Sequence, residues 1–413
     1  MPALEPPVSA AHHDHLVHEA SGQTFSRREA AAVIAVGVNS LLVLGVLPIV
    51  LGALADVHRL TNSQIGLCAM VELLTMGVST GLMGLTRRPA HLRAIGIGAA
   101  LALAGADLAC TGLGGSALIG ARALAGAAEG VLLWITIGMI ARTATPERWA
   151  GVFFTAQTAA QLVLAVILAT WALPRFGANG AFIALAMVAV AGVAPALAVP
   201  AGFDPMISRP GESGAPPRRG LIALLASLVF VAGGGAIGVY LEPLAHQAGL
   251  SAAVAGAALW TSLAGQVCGG ALATFLAGKV RYFIVFVVGS VISLGVWTLL
   301  GLHIPAWLFV ADNIVAGVVG MVLAPFIAPM TIEADPSRRA ALQTGAAQLL
   351  GGALGPLLSS QVVNDRDVHG VLWLGGALLL TGLAIIAWLR FSAPPSGLSS
   401  GESALESPRP ARA

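Results

Sequence analysis

Charge is scarce in this sequence. Only 10% of its 413 residues are Asp, Glu, Lys or Arg, while 57% are hydrophobic; a soluble globular chain carries roughly a quarter charged residues. Too few charges remain to cover a water-facing surface, which excludes an ordinary soluble domain. The net charge of +2 is small and dispersed, so nucleic acid is not expected as a partner. Lysine is nearly absent, Lys279 standing against twenty arginines. Cysteine is as sparse. Cys68, Cys110 and Cys268 fall in apolar segments without CxxC or Cys/His ligand spacing, and read as small packing residues. No P-loop pattern occurs, and neither a cofactor nor a metal site is expected. A secretory leader is not expected either: residues 1–20 are acidic, His-rich and Pro-rich, without a basic n-region.

What is abundant is long apolar runs. A bilayer core of roughly 30 Å needs about 20 apolar residues in a helix. Runs of that kind predict spans near 29–54, 63–86, 92–113, 116–142, 148–172 and 179–200, then near 221–244, 252–277, 281–302, 305–331, 338–362 and 369–390. The chain thus divides into a disordered cytoplasmic tail (1–28), a six-helix bundle (29–200), a polar Pro/Gly-rich linker (201–220), a second six-helix bundle (221–391) and a second disordered tail (392–413). Loop arginines set the orientation. Seventeen of the twenty-one basic residues fall on the side of the termini and linker, and three (Arg59, Arg175, Arg366) on the other; Arg122 lies in a helix. Both termini are therefore expected in the cytoplasm, with the protein in the inner or plasma membrane.

The halves echo each other. Thr145-Pro146-Glu147-Arg148 before the fifth span, with Ala159-Ala160-Gln161-Leu162 within it, parallels Asp335-Pro336-Ser337-Arg338 and Ala346-Ala347-Gln348-Leu349 at the eleventh. Ala121-Arg122 up to Gly130 aligns without a gap on Ala311-Asp312 up to Gly320. Two repeats of six spans are the plan of a rocking secondary transporter.

With its 6 + 6 layout, its Arg122-x-x-x-Gly126 on the fourth span and a basic loop after the second, the chain resembles the major facilitator superfamily over roughly residues 28–391. The resemblance implies an all-α membrane fold of twelve helices in two pseudo-symmetric bundles, with spans four and ten lining a central cavity. It departs at the loop Gly84-Leu85-Thr86-Arg87-Arg88, which lacks the family's acidic residue and so its usual latch. The fifth span (Ala156-Gln157-Thr158-Ala159-Ala160-Gln161) also lacks the GPxxGG of drug-exporting antiporters.

Ionisable groups at bilayer depth are costly and face protein or water. Five stand out: Glu72, Asp107, Arg122, Glu129 and Asp312. Asp107 lies seven positions before Gly114, and Arg122 seven after Gly115, so both sit about 10 Å from the outer end of a tight hairpin. Glu72 reaches a similar layer. Two arrangements follow. Arg122 is neutralised within its own bundle by Asp107 or Glu72, or it meets its repeat counterpart Asp312 across the cavity. Glu129, two turns beyond Arg122 on the same face, is the leading candidate for proton coupling, with Asp312, Glu72 and Asp107 beside it. Arg122 presents a fork suited to a carboxylate or phosphate substrate.

Further pocket candidates are Asn39, Gln157, Gln161, Tyr240, Trp260, Gln266, Asn313, Gln343 and Gln348, each with interhelical bonding or interfacial anchoring as the alternative. Gly77-x-Ser79-x-Gly81 and Gly233-x-Gly235-x-x-Gly238 match hydrolase and dinucleotide patterns but sit inside spans, where those chemistries have no strand-to-helix turn. Gly126/Gly130, Gly265/Gly269 and Gly351/Gly355 are expected to let helices approach. His12, His13, His15 and His18 fit a metal-binding tract or, in preference, a disordered tail.

The function expected is alternating-access secondary transport, not enzyme catalysis. The solute expected is an organic acid, taken up with protons by a monomer in the lipid bilayer. The alternatives are export of an amphipathic or lipid-like compound and, outside transport, a membrane receptor or intramembrane enzyme.

Overall fold

The computed structural model describes residues 23–60, 62–86, 89–204, 215–238, 240–363 and 367–392. The His12, His13, His15 and His18 tract, Arg87 and Arg88, the middle of the linker and all but the first residue of the 392–413 tail lie outside them.

Among the described residues regular structure is helical, apart from one antiparallel bridge between Ala90 and Gly202. The long helices are α1 (Arg27–Asp56), α2 (Asn62–Gly84), α3 (Leu92–Cys110), α4 (Gly115–Ile140), α5 (Pro146–Ile167), α6 (Leu173–Ala191), α7 (Arg218–Gly238), α8 (Ala252–Leu276), α9 (Tyr282–Leu300), α10 (Ala306–Leu323, continued through Ala324–Phe326 into Ile327–Ala334), α11 (Thr344–Ser359) and α12 (Gly370–Phe391). Among the described residues, ten helical stretches are long and apolar enough to cross a bilayer. One of these, Pro146–Ala196, holds both α5 and α6, and α11, with 16 residues, falls short of a full span. The twelve expected spans each have a helix.

Local sequence explains where the helices depart from the expected bounds. α5 runs on through a wider π-type turn (Leu168–Ala172) into α6, and the reversal is confined to Gly177 at φ 60°, ψ −160°. Only glycine adopts that conformation readily, so one residue suffices where a six-residue gap was expected. α7 stops at Gly238 and Leu241–Gln247 forms a separate short helix. The eleventh span is also split. Arg338 takes a left-handed conformation (φ 60°), a short helix covers Arg339–Leu342, and α11 proper starts at Thr344.

Large apolar side chains such as Leu82, Leu124, Val291 and Trp373 are exposed, as on helices that face lipid. The packing pattern repeats between halves. α2 packs on α4 as α8 does on α10; α1 packs on α5 as α7 does on α11; α3 packs on α6 as α9 does on α12. The halves meet through α5 with α8 and α2 with α11, interfaces that exchange under the same shift of six helices.

Loops gather at two ends. At one, Arg59 of the α1–α2 turn donates to the Leu113 carbonyl (2.9 Å from Nε) and to Asn179 Oδ1 (2.7 Å), tying together the turns after α1, α3 and α5. At the other, the linker end, the α2–α3 loop pairs with the chain after α6, Phe203 N donating to the Pro89 carbonyl (3.0 Å). Arg142 lies over the Phe203 ring and donates to the Asp204 carbonyl. Burial pushes its guanidinium down to about 10, against the opposing pull of Asp204.

Candidate functional site

Four ionisable side chains meet inside the N-terminal six helices. Arg122 on α4 is 1% exposed and Glu72 on α2 is 0% exposed. The Arg122 fork grips Glu72, with Nε donating to Oε2 at 2.9 Å and Nη2 to Oε1. Its Nη1 donates to Asp107 Oδ1 at 2.5 Å. The Gly114–Gly115 hairpin makes that second pair possible, because equal counts from the turn bring α3 and α4 side chains to one level. Glu129 Oε1 lies 3.8 Å from the same guanidinium, and its Oε2 has no hydrogen-bond partner among the described residues. Three carboxyls thus surround one arginine.

Glycine lets α2 and α4 come this close. A Cβ at Gly126 would lie 2.3 Å from the Glu72 carbonyl oxygen, and one at Gly130 would lie 2.3 Å from that of Met76. Gly265 and Gly269 serve α8 against α10 in the same way, and Gly351 and Gly355 serve α11 against α7.

Among the described residues, two of the cavities adjoin other candidates from the sequence. One, of about 280 Å³, is enclosed by both halves, including Leu41, Ile137, Gln157, Met321, Thr344 and Gln348. The second, of about 460 Å³, sits within the C-terminal six helices and is lined by Ser262, Gln266, Ser293, Trp297, Asn313 and Gln348 among others. The two adjoin along Val231, Met321, Ala324 and Gln348. No charged side chain lines either one among the described residues.

At the linker end, side chains of the α10–α11 loop bridge the two halves beside the inter-half cavity. Arg338 Nη1 donates to the carbonyls of Ala141 and Thr143, both at 2.9 Å, just past the C-terminus of α4. A cation just beyond a helix C-terminus also suits the helix dipole. Gln343 Nε2 donates to the Gly81 carbonyl of α2 at 2.9 Å.

No protein-family profile matches this sequence, and neither does any curated protein sequence. Solved structures do match its shape. The human organic anion transporter MFSD10 (TETRAN) superposes with a TM-score of 0.68 at 13% identity, over 88% of this chain and 100% of that one. FucP, a major facilitator superfamily transporter in the outward conformation, superposes with a TM-score of 0.67 at 14% identity, over 87% of this chain and 98% of that one. This chain has the major facilitator superfamily fold.

Within that superfamily fold, the sequence candidates separate into three groups. Gln157, Gln266, Asn313 and Gln348 line the cavities. Gln157 is 6% exposed and its Oε1 has no partner among the described residues. Asn313 also donates to the Phe309 carbonyl within its helix. A second group serves packing or closure. Gln161 donates to the Leu41 carbonyl at 2.5 Å, joining α5 to α1; Gln343 bridges to α2 at the linker end; Tyr240 packs in a cluster with Ile237 and Leu244, and Trp260 on one with Leu164 and Phe182. Asn39 is buried, and its Nδ2 fills the space beside Gly192. The third group is ionic. Glu72, Asp107, Arg122 and Glu129 form one cluster and line neither cavity, while Asp312 is buried on α10 with Oδ2 unpartnered among the described residues.

Of the two arrangements that the sequence leaves open for Arg122, this structure holds the one within its own bundle. Arg122 faces its own bundle, its donors taken by Glu72 and Asp107, so it presents no fork to a solute here. It also makes no pair with Asp312. In the sequence Arg338 reads as a loop charge within a repeated segment, and its contact with the far end of α4 does not show. Its place after the repeated Pro, aligned with Arg148, was the available signal.

Proposed function

We propose that this chain is a secondary transporter that moves a small, uncharged or amphipathic solute by alternating access, driven by protons. The observation that carries this is the neutral, two-sided cavity at the junction of the repeats, with Arg338 and Gln343 bridging the halves at one end. Loop arginines assign that end to the cytoplasm, which makes this arrangement a state closed on the inside. The acid cluster supplies the coupling site. Three carboxyls against one guanidinium leave two negative charges in excess at bilayer depth unless protons occupy the cluster.

A second reading, uptake of an organic acid, draws support from the likeness to a protein described as an organic anion transporter. It requires Arg122 to exchange Glu72 and Asp107 for the solute. Proteoliposomes carrying a trapped pH-sensitive dye distinguish the two. Solute-dependent proton entry with neutral aromatic alcohols supports the first reading. Entry with carboxylates alone supports the second, and none with either class, under an imposed gradient, removes proton-coupled transport.

A further inference from the structure

The interiors of the two halves differ in kind. A shift of 190 residues, which lays Arg122 on Asp312 and Gly130 on Gly320, also lays Glu72 on Ser262. The contacts agree to within one residue, since Gly126 abuts the Glu72 carbonyl and Gly317 abuts that of Ser262. Where the N-terminal half holds Glu72 and its arginine, the C-terminal half holds a cavity of about 460 Å³ bordered by Ser262.

Missing side chains open that cavity. A Cβ at Gly234 or Gly238 on α7, or at Gly320 on α10, would meet nothing within 4 Å among the described residues, and all three glycines line the space. Packing does not demand glycine there. By contrast, a Cβ at Gly265, Gly269 or Gly317 would stand 2.2–2.5 Å from a backbone carbonyl oxygen of the facing helix. Glycine inside a helix costs roughly 0.5–1 kcal/mol relative to alanine, and atoms facing a void forgo dispersion contacts. Three such glycines around one cavity are a stability sacrifice with no structural return.

The polar groups on the wall are amides, hydroxyls and one indole N–H: Ser262, Gln266, Ser293, Trp297, Asn313 and Gln348. Gln157 faces the adjoining cavity, its buried Oε1 unpartnered among the described residues. A wall of neutral donors and acceptors on an apolar background suits a ligand that brings no charge, because a buried ion without a partner is heavily penalised.

We propose that this glycine-opened space in the C-terminal half is the solute pocket. Its ligand is an uncharged, largely apolar molecule bearing one or two hydrogen-bonding groups, such as an aromatic alcohol or amide. The assignment rests on the transport reading above and names its solute class.

The experiment is equilibrium binding of 1-naphthol, 1-naphthoate and 1-naphthylmethylammonium to the full-length protein in nanodiscs, with empty discs subtracted. The three probes share a ring system and differ in charge. Gly234→Leu and Gly320→Leu fill the pocket. Gly105→Leu, on the exposed face of α3 where a Cβ also meets nothing within 4 Å, is the control. The wild type and the control should bind 1-naphthol at least about tenfold more tightly than either ion. Both fillings should keep or raise the melting temperature and weaken 1-naphthol binding at least about tenfold. The pocket assignment is overturned if the wild type does not bind 1-naphthol, if the carboxylate binds more tightly, or if both fillings leave binding unchanged. Expected binding without solute flux in liposomes sinks the transport reading and leaves the pocket standing; flux and binding that ignore both fillings do the reverse.

Discussion

Gly130 and Gly320 hold the same position in the two repeats and do opposite things. A Cβ at Gly130 would lie 2.0 Å from Ser79 Oγ and 2.3 Å from the Met76 carbonyl oxygen, so glycine there is what lets α4 seat on α2. A Cβ at Gly320 would meet nothing within 4 Å. Alanine should therefore separate them. Gly130→Ala must push α2 and α4 apart or strain them, which in packed cores costs about 1–3 kcal/mol. Gly320→Ala should be neutral or stabilising by up to about 1 kcal/mol through helix propensity. Melting temperatures of the two variants check this, and equal losses would mean that Gly320 is packed after all.

The acid cluster predicts an order of stability. Arg122→Gln leaves Glu72, Asp107 and Glu129 without their cation, and breaking a buried pair from one side costs about 3–5 kcal/mol. Glu72→Gln breaks the two-pronged grip and should fall next. Glu129→Gln gives up only a 3.8 Å contact while its other oxygen has no partner among the described residues, so it should cost less than about 1 kcal/mol. Thermal unfolding in detergent ranks the three. Under the transport proposal Glu129→Gln should nonetheless abolish solute-driven proton entry, separating coupling from stability.

Much of this arrangement is legible in the sequence wherever counting suffices. The level of Asp107 and Arg122 follows from equal distances to one hairpin, and the three glycine pairs follow from four-residue spacing. What the sequence does not reveal is direction. Gln161 and Gln348 stand in matching Ala-Ala-Gln-Leu segments, yet Gln161 turns to the Leu41 carbonyl while Gln348 lies where the two cavities adjoin. The residues that decide this are on neighbouring helices, far away in the chain. A closure made by backbone carbonyls is invisible for a similar reason. Ala141 and Thr143 accept from Arg338 through atoms that every residue possesses, so their side chains carry no signal.

Arg122 and Asp312 should be energetically independent. In this structure Arg122 is held by Glu72 and Asp107, while Asp312 shares none of these partners. Groups without shared partners add to within about 0.5 kcal/mol when mutated together. The double variant Arg122→Gln/Asp312→Asn should therefore lose the sum of the single losses. A coupling well beyond that value, measured by unfolding, would restore a pair across the repeats.

Arg338 should control the linker end. The turn that aims it is organised by Asp335, which accepts from Ser337 N at 3.1 Å, Ser337 Oγ at 2.5 Å and Ala340 N at 2.8 Å. Arg338 itself sits at φ 60°, a conformation that a non-glycine residue keeps only when its surroundings compensate. Its two bonds beyond α4 exist only while the halves touch, so they stabilise the closed arrangement and not the open one. Removing them with Arg338→Ala should shift the closed-to-open ratio roughly 5–30-fold, equivalent to about 1–2 kcal/mol. Ala341, buried against Ala141 and bordering the inter-half cavity, reports on that shift as Ala341→Cys. Cys268 is exposed and must first be replaced by serine, whereas Cys68 and Cys110 are buried. A membrane-impermeant maleimide supplied from the linker side should label the reporter faster in Arg338→Ala by a comparable factor. Arg338→Lys keeps the charge but not the planar fork, and should fall between the two. Asp335→Asn should move in the same direction as Arg338→Ala by a smaller amount, because it loosens the turn without deleting the cation. Unchanged labelling in Arg338→Ala would mean that the contact accompanies closure without contributing to it.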